Sequence, residues 1–483
     1  MILDRISLKP LWAPSRAFAE QSNFKKYQNW LFVKKGLYFR DYHDLWDWSV
    51  TDLEDFWESI WQFCEVKSHS MYWDVLVNSK KELSDTQWFT GSSVNYAEHI
   101  FRSKNANRPA LLYQSEREPL REVSWKDLEK QVAALAAYLR RSGVGVGDRV
   151  AAVLPNGPQT VIAFLAANSV GAVWTLCSPD MSSAAILDRF QPLEPKVLFA
   201  ADGYEQAGKA VDRLSSVKEV VNGLPKLKAT VLIPYLNPAT QLSNADTWAD
   251  VLKTPSATLE FAPVPFHHPL WVVFESGPSG KSEPIIHSVG GCLLEHFKIF
   301  TLHQNIKPGD RFFWYNPSES WMWHFSIGAM LSGAVPLLYE GKPTTFNVLW
   351  EVAEKAKINH FGGNRAYFMD CLKENLSLQG YKFNHLQSLS CTDAALPAEG
   401  FEWVYKNTKK DVWLISLNVT PTLCSSYVGG CPILPVYSGE AQCHLLGCKT
   451  EVDDTKEKSV GKDSLKLTLS QPMPSLPLSH LTY

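Results

Sequence analysis

The sequence lacks an excess of positive charge, and this excludes one large class of partners. Its 47 Lys and Arg residues are balanced by 50 Asp and Glu residues, which gives a net charge of −3. A protein that binds a phosphate backbone needs a basic surface to neutralise it. We therefore predict that the protein does not bind nucleic acid.

A long apolar run is also missing. The N-terminus, MILDRISLKPLWAPS, has no uninterrupted apolar core of the kind that a signal peptide needs. The most apolar stretch, residues 161–177, is interrupted by Asn168 and Gly171 and is too short to span a bilayer. We therefore predict no membrane span.

Paired-cysteine motifs are absent as well, although the chain has nine cysteines. Cys443, His444 and Cys448 form the nearest arrangement to a metal cluster, but a structural zinc site needs a second pair of ligands. We predict no metal site. We interpret the cysteines as reduced, partly buried thiols and expect the protein in the cytosol.

What the sequence does contain is typical of a large packed protein. Apolar residues make up 45% of the chain and charged residues 20%, and its 483 residues correspond to about three domain equivalents. Because tryptophans need a larger body to be buried against, we predict that residues 1–100 form a Trp-rich segment docked on a core. Eight tryptophans lie in the first ninety residues: Trp12, Trp30, Trp46, Trp48, Trp57, Trp61, Trp73 and Trp88.

One helix is predicted inside this segment. The run from Thr51 to Glu54 has the pattern of a capping box, which predicts that the helix begins there. An apolar stripe then follows at helical spacing, and we interpret it as core-facing rather than as part of a cofactor site. Its members are Leu53, Phe56, Trp57, Ile60, Trp61 and Cys64.

Residues 101–448 alternate between short apolar runs and amphipathic segments, and we assign them to an α/β core. Strands separated by helices favour parallel pairing with helices on both faces of the sheet. The predicted strands are Ala110–Tyr113, Arg149–Leu154, Gly171–Cys177, Lys196–Ala200, Trp271–Phe274, Arg311–Tyr315, Val335–Tyr339 and His360–Phe361. The predicted helices are Trp125–Arg141, Gln159–Val170 and Ala184–Phe190.

The chain changes character after Cys448. Residues 449–464 are charged and have almost no large apolar side chains, and Pro472, Pro474 and Pro477 punctuate the end. Such segments bury too little apolar surface to offset their conformational entropy. We therefore predict that residues 449–483 form a degenerate, weakly ordered tail.

A small, hydroxyl-rich loop at residues 275–282 follows a predicted strand and is suited to phosphate, since glycines let the backbone amides approach an anion. Its ending, Gly280-Lys281-Ser282, is that of a Walker loop. However, Glu275 stands where that motif needs glycine, and Pro284 opposes the helix that should start at the lysine. We therefore reject a P-loop NTPase.

The surrounding blocks point to a family. The segment WVVFESGPSGKSEPIIHSVGG resembles the phosphate loop of the adenylate-forming acyl-CoA synthetases, with its apolar-His-Ser turn at Ile286-His287-Ser288. Within that superfamily the sequence resembles the acetoacetyl-CoA synthetases over roughly residues 30 to 478. The blocks that carry this are WFTGSSVNYAEHI, VGVGDRVAAVLPNGPQTVIAFLAANSVGAVWTLCSPD, DRFQPLEPKVLF, GDRFFWYNPSESWMWHF and LPVYSGEAQCHLLG.

This resemblance implies a two-step ligase of lipid metabolism. ATP and acetoacetate would give an acyl-adenylate and pyrophosphate, and the acyl group would then pass to coenzyme A. Mg²⁺ and cationic groups would neutralise the reacting carboxylate and phosphate. The implied fold is a large N-terminal domain of two doubly wound sheets and a small distorted β-barrel. We expect the small C-terminal domain, which supplies the family's catalytic lysine, to be missing, and we therefore assign no catalytic residue.

The resemblance also implies positions at the nucleotide. Ser276, Gly277, Ser279 and Gly280 are a remnant of the phosphate loop, but Glu275 replaces its first serine and Glu283 its lysine. At about 6 Å and an effective dielectric near 20, each pairing of such a carboxylate with a phosphate charge costs about 3 kcal/mol. We therefore expect weakened binding of ATP. Other nucleotide-site positions are His287, Thr392, Asp393, Pro421 and Thr422.

These other positions depart from the family as well. Asp393 adds a side chain beside adenine, Pro421 replaces a threonine that touches phosphate, and Thr422 replaces a carboxylate that helps to hold magnesium. His287 is equally interpretable as a hydrogen-bonded core histidine. Trp321, Gly362 and Gly363 match the acid pocket, although Trp321 is open to interpretation as a buried core aromatic.

We therefore predict an acetoacetyl-CoA synthetase-like protein with impaired activity, for which binding of ATP, Mg²⁺ and CoA is in doubt. One alternative is a non-catalytic pseudoenzyme or interaction module that keeps the fold and pairs with a full-length relative. Another is a product without a selected role. The residues alone do not separate the last two.

Overall fold

The structure is a computed structural model that describes residues 9–77, 82–255, 258–276, 282–393, 395–452 and 467–479. Its α-helices are α1 Arg16–Glu20, α2 Asn23–Lys35, α3 Tyr42–Thr51, α4 Leu53–Phe63, α5 Tyr96–Phe101, α6 Trp125–Arg141, α7 Pro158–Ser169, α8 Ser183–Phe190, α9 Leu214–Asn222, α10 Trp248–Val251, α11 Val289–Lys298, α12 Trp321–Gly328, α13 Asn347–Lys355, α14 Arg365–Lys373 and α15 Ala398–Asn407.

The strands are short and spread along the whole chain. They are β1 Asp74–Val77, β2 Gln87–Thr90, β3 Ser93–Val94, β4 Pro109–Ser115, β5 Arg121–Ser124, β6 Arg149–Val153, β7 Val173–Cys177, β8 Val197–Ala201, β9 Gly203–Gln206, β10 Lys209–Asp212, β11 Ala229–Ile233, β12 Asp246–Thr247, β13 Val264–Pro265, β14 Pro269–Ser276, β15 Ser282–Ser288, β16 Arg311–Trp314, β17 Val335–Glu340, β18 His360–Asn364, β19 Ser388–Thr392, β20 Trp413–Ser416, β21 Val419–Thr420, β22 Ser425–Ser426, β23 Val428–Gly429, β24 Cys443–His444, β25 Thr450–Val452 and β26 Leu467–Leu469.

Two seven-stranded sheets dominate the fold and follow one design. The first has the order β12-β11-β8-β6-β7-β14-β15, and the second has the order β20-β19-β18-β16-β17-β4-β5. In each sheet all pairs are parallel except the last, which is an antiparallel edge hairpin: β14 with β15 and β4 with β5. This confirms the predicted α/β class with parallel sheets.

Alternation along β6 shows that helices cover both faces of the first sheet. Val150 and Ala152 belong to the main core, whereas Ala151 and Val153 belong to a second core that includes residues of α8 and α9. Successive side chains of a strand point to opposite faces, so each face buries its own layer. On the face of the main core, α7 is buried along nearly its whole length.

Outside the two large sheets, the described residues form two-stranded ladders, and the small distorted β-barrel that the resemblance implies stays an expectation. These are β1-β2, β9-β10, β3-β13, β21-β22, β23-β24 and β25-β26.

The N-terminal helices lie against the far end of the chain. The hydroxyl of Tyr42 donates to the carbonyl oxygen of His444, and the amide of Gly447 donates to Ser49 Oγ at 2.9 Å. Most of the early tryptophans are buried or half-buried, but Trp73 is 74% exposed. Burial of all eight was therefore a wrong expectation, since β1 lies at the protein surface beside Trp73.

The capping-box prediction was also wrong, although the helix itself is present as α4. Thr51 is the last residue of α3, and its Oγ1 donates to the carbonyl of Asp47 at 2.8 Å. Asp52 caps α4 without a side-chain hydrogen bond. Because α3 and α4 meet at one residue, the threonine side chain is already used by the preceding helix.

Weak order is likewise wrong for residues 467–479, while residues 453–466 lie outside the described part. Strand β26 pairs with β25, Met473 and Ser475 are buried, and the amide of Leu478 donates to the Ile286 carbonyl at 2.8 Å. A Cβ on Gly291 would lie 2.1 Å from the carbonyl oxygen of Pro474. A glycine in α11 thus lets this segment pack closely despite its prolines.

Candidate functional site

The candidate phosphate site begins at the edge hairpin of the first sheet. Strand β14 pairs with β15 so that Glu275 lies directly opposite Glu283, and Ser276 opposite Ser282. Both glutamates are exposed. Gly277, Ser279 and Gly280 lie outside the described residues, and only the backbone of Ser276 is described. The two carboxylates therefore form a cross-strand pair of like charge at the base of the loop.

His287 is a buried, hydrogen-bonded side chain on β15. The indole N–H of Trp271 donates to its Nδ1 at 3.0 Å, and its Nε2 lies 3.4 Å from the carbonyl oxygen of Thr422. Burial lowers the pKa of the ring. The geometry is that of a core histidine, and it also joins the hairpin to the turn Pro421–Leu423, so three of the predicted positions come together.

That turn is tight and partly exposed. Thr420 Oγ1 accepts the amide of Thr422 at 3.2 Å, and Cys424 ends the turn in the left-handed region at φ 52°. Proline has no amide to donate, and threonine offers a hydroxyl where a magnesium site favours carboxylate. Pro421 and Thr422 therefore offer no carboxylate to the Mg²⁺ that the family resemblance implies.

A second group of predicted positions lies at the carboxyl edge of the second sheet. Asn364 pairs with Thr392 in the β18-β19 register, so Gly362 and Gly363 on β18 run beside the strand that ends at Thr392. Asp393 follows with φ 75°, and burial raises the pKa of its carboxyl. Ligands of open α/β sheets bind at such an edge.

The acid-pocket positions are connected through aromatic packing. A Cβ on Gly362 would lie 2.2 Å from the Trp314 ring, whose centroid lies 5.8 Å from that of Phe325. Trp321, at the start of α12, also packs on Phe325, with 6.1 Å between the ring centroids, and is half-buried. The structure thus brings Trp321 and Gly362 to one aromatic cluster, while a Cβ on Gly363 would face Tyr367 and Phe368 at 3.3 and 3.4 Å.

An acidic cavity of about 270 Å³ lies where strands of both sheets end, and sequence reasoning missed it. Burial raises the pKa of Glu340 to about 7, with a smaller contribution from Asp180 and Glu319 and an opposing hydrogen bond from the Asn156 amide. No motif marks these residues. The lining includes Ser178, Asp180, Glu205, Tyr315, Tyr339, Glu340 and Lys342.

A buried cluster of histidine and cysteine was missed as well. His287, Cys292 and Cys424 each place a nitrogen or sulfur atom within 4.8 Å of the other two. His296 adds a ring nitrogen 3.3 Å from Cys424 Sγ, although 128 residues separate the two in sequence. No local spacing could have revealed this cluster.

The residues first considered as a metal cluster have other partners. Cys443 Sγ donates to the carbonyl of Gly429 at 3.7 Å, and His444 Nδ1 lies 3.2 Å from Thr450 Oγ1.

Within the described part of the chain, no helix is long and apolar enough to cross a bilayer.

Comparison with known proteins assigns this architecture first to a class. The family model "AMP-binding enzyme" matches residues 99–415, and the model "Acetyl-coenzyme A synthetase N-terminus" matches residues 42–100. A solved acetoacetyl-CoA synthetase from Streptomyces lividans superposes with a TM-score of 0.90 at 36% identity, covering 97% of this chain and 74% of that one.

Comparison with curated relatives identifies the family within this class. The acetoacetyl-CoA synthetase of Mus musculus is 35% identical over 457 residues, which is 92% of this chain and 68% of the relative. That of Rhizobium meliloti (strain 1021) is 34% identical, over 97% of this chain and 73% of the relative. The chain belongs to the acetoacetyl-CoA synthetase family of AMP-binding enzymes. These alignments do not by themselves support the predicted loss of a C-terminal domain.

Proposed function

We propose that the protein is an acetoacetyl-CoA synthetase-like ligase in which the ATP-dependent adenylation step is impaired. The family supplies the reaction and its small molecules: acetoacetate, ATP with Mg²⁺, and coenzyme A. The impairment rests on one observation, the direct cross-strand opposition of Glu275 and Glu283 at the base of the phosphate loop.

The electrostatic cost of two carboxylates near the phosphates of ATP follows from their distances and from the local dielectric constant. Directly opposed side chains have Cβ atoms about 5 Å apart, and like charges in such pairs are unfavourable. One carboxylate about 6 Å from a phosphate charge costs about 0.7 kcal/mol in water and about 3 kcal/mol at an effective dielectric of 20. Both glutamates are exposed, so the true value lies between these limits. Repeated over two carboxylates and several phosphate charges, it weakens ATP binding by orders of magnitude.

The nucleotide turn supports the same proposal. By resemblance, Pro421 and Thr422 would replace groups that contact phosphate and magnesium, and Asp393, whose φ is 75°, would add a carboxylate beside adenine. A loss of ground-state binding and a loss of transition-state stabilisation are separate defects. We therefore expect repair of the carboxylates to restore binding more than turnover.

The test compares the parent with the triple variant Glu275→Ser, Glu283→Lys, Asp393→Gly. Calorimetry with ATP and Mg²⁺ should show tighter binding by the triple variant, while acetoacetate-dependent release of pyrophosphate stays near background in both proteins. The double variant Glu399→Lys, Glu402→Lys, at two exposed residues of α15, raises the net charge by as much as the triple variant does and controls for that change. Robust turnover by the parent would disprove impairment, and an unchanged Kd in the triple variant would remove these residues from the nucleotide site.

A second candidate function is an interaction role without catalysis, and the exposed apolar side chains of the N-terminal segment favour it. These are Phe32, Val33, Tyr38, Met71 and Trp73, each at least 60% exposed. Such side chains mark contact surfaces when they lie together. Co-sedimentation with a full-length acetoacetyl-CoA synthetase, lost on Trp73→Ser, would favour this role, and two independent species would count against it.

We place the activity in the cytosol. All nine cysteines are free thiols, which is the usual state in a reducing compartment.

A further inference from the structure

Four fully buried side chains meet where the phosphate hairpin, α11 and the Pro421–Leu423 turn come together. His287 is on β15, Cys292 and His296 are on α11, and Cys424 ends the turn. Each is at most 1% exposed. A buried group of two thiols and two imidazoles has two chemical uses: it binds a soft metal ion, or its sulfur atoms react with each other.

The hydrogen bonds of His287 argue against metal binding. An indole N–H can only donate, so the nitrogen that faces Trp271, Nδ1, must accept. The proton of the neutral ring therefore sits on Nε2, which faces the carbonyl oxygen of Thr422. A metal ligand needs a bare nitrogen, and this ring offers none.

His296 is arranged in the same way. Its Nε2 lies 3.2 Å from the carbonyl oxygen of Cys424, which can only accept, so that nitrogen carries the proton. Its Nδ1 then accepts from the hydroxyl of Tyr96 at 2.7 Å. Both rings thus present N–H groups to the cluster, and only the two sulfur atoms remain as reactive groups.

The two thiols differ in acidity. Burial raises the pKa of Cys292. Burial also acts to raise the pKa of Cys424, but a hydrogen bond from the Cys292 thiol lowers it, and so does His296, whose Nε2 lies 3.3 Å from Cys424 Sγ. The thiolate is the nucleophile of cysteine chemistry, so Cys424 is the sulfur that reacts first.

We propose that Cys292 and Cys424 are a redox pair that closes to a disulfide in the presence of a hydroperoxide. Cys424 Sγ attacks hydrogen peroxide, the O–O bond breaks, and a sulfenic acid forms while the thiol proton leaves with hydroxide as water. Cys292 Sγ then attacks Cys424 Sγ, and the displaced hydroxide takes the Cys292 proton as a second water. Two thiols and one peroxide give one disulfide and two waters.

Closure changes the geometry at the end of the nucleotide turn. A disulfide needs a sulfur separation of about 2.0 Å, whereas these atoms lie within 4.8 Å. The sulfur atoms must therefore approach each other, by rotation of the two side chains or by a shift of Cys424, which ends the Pro421–Leu423 turn. An effect of this disulfide on ATP binding would rest on the proposed function, but formation of the disulfide itself does not.

The test treats the folded full chain with hydrogen peroxide, blocks the remaining thiols with iodoacetamide and maps disulfides by mass spectrometry. The tryptic peptide 282–298 contains Cys292 as its single cysteine, and chymotrypsin cuts after Tyr427 to separate Cys424 from Cys431. We expect a linked peptide two hydrogens lighter than the sum, reversed by dithiothreitol. Cys292→Ser and Cys424→Ser abolish it, and Cys177→Ser, a buried thiol outside the cluster, retains it.

Three outcomes would overturn the proposal. One is oxidation of half-buried Cys64 without this link, another is a link from Cys424 to Cys431 or Cys443 instead, and the third is one equivalent of bound Zn²⁺ that both cysteine variants lose. Calorimetry with ATP and Mg²⁺ on reduced and oxidised protein tests regulation separately: a Kd that changes on oxidation in the parent but not in Cys292→Ser supports it. If the link forms but neither state binds ATP, the redox pair stands and the proposed function fails.

Discussion

Lys298 Nζ lies 2.9 Å from Glu295 Oε2, and neither side chain is exposed to solvent. The ammonium also donates to the carbonyl of Leu446 at 2.8 Å and lies 5.1 Å from the ring centroid of Trp57. One buried charge on α11 therefore contacts both the N-terminal helices and a segment near residue 446. Lys298 contributes to the stability of the folded protein only as the partner of Glu295, because a buried charge without its partner is far more costly than the pair.

Lys298→Met should destabilise the protein by about 3–5 kcal/mol, because it leaves Glu295 charged and unpaired in the core. Urea unfolding measures the effect. Lys373→Met is the matched control: Lys373 and Asp370 have the same helical spacing but are exposed, so we expect at most about 1 kcal/mol. The double variant Lys298→Met, Glu295→Leu should be more stable than Lys298→Met alone. Equal loss in Lys298→Met and Lys373→Met would contradict the interpretation.

Asp393→Gly should stabilise the folded protein by about 1 kcal/mol, because it removes a Cβ from backbone at φ 75°. Asp393→Ala keeps the Cβ and removes only the carboxylate, so it should give no such gain. Thermal unfolding of the two variants separates backbone strain from charge. A gain in Asp393→Ala equal to that in Asp393→Gly would assign the effect to the carboxylate.

Glu340 should make stability fall between about pH 4.5 and pH 7. Its ordinary pKa of 4.5 is raised to about 7 in the folded protein, so in this range the folded state keeps a proton that the unfolded state has released. Rising pH then favours unfolding, by about 3 kcal/mol over the whole range. The contribution is fully present below pH 4.5.

Midpoints of urea unfolding measured across this pH range check the predicted fall of stability with pH. Glu340→Gln should flatten it, whereas Glu351→Gln, at an exposed helical site, should not. A parent protein that gains stability from pH 4.5 to pH 7, with the same profile in Glu340→Gln, would show that another group governs the dependence.

Gly362→Ala should destabilise the protein by about 1–3 kcal/mol, because the added methyl group would lie 2.2 Å from the Trp314 ring. Gly380→Ala is the control, since a Cβ there has no neighbour within 4 Å. Trp314 fluorescence and denaturant midpoints should change in the first variant only. A neutral Gly362→Ala would mean that Trp314 can move to accept the added methyl group.

Local signals predicted the elements better than the contacts between them. Residues 125–141 were predicted as a helix and form α6, because Ser124 caps its start and Leu128, Val132 and Leu135 repeat on one buried face. Thr51 carried an equally good capping pattern and failed, since the preceding helix already used its hydroxyl. A cap depends on where the neighbouring helix ends, and no window of sequence contains that information.

The candidate site also combines features that local sequence predicts with features that depend on the tertiary fold. Family-like blocks predicted site positions on the β14-β15 hairpin, at the carboxyl edge of the second sheet and in the aromatic cluster around Trp314, and their roles toward adenine and the acid stay predictions. The opposition of Glu275 and Glu283 required the strand register, and the meeting of His296 with Cys424 required the tertiary fold. The proline-bearing segment at residues 467–479 was misjudged, because its burial depends on the absence of a side chain at Gly291.

The contacts between the two ends of the chain also constrain how the protein is made. Tyr42 binds the carbonyl of His444 across 402 residues of sequence, and Trp46 reaches Cys448 across the same interval. At about 5–20 residues per second, a ribosome needs about 20–80 s to synthesise that interval. Tyr42 and Trp46 of α3 therefore lack these partners until synthesis of the chain reaches residue 448, so we expect the nascent chain to expose this part of α3 through most of translation.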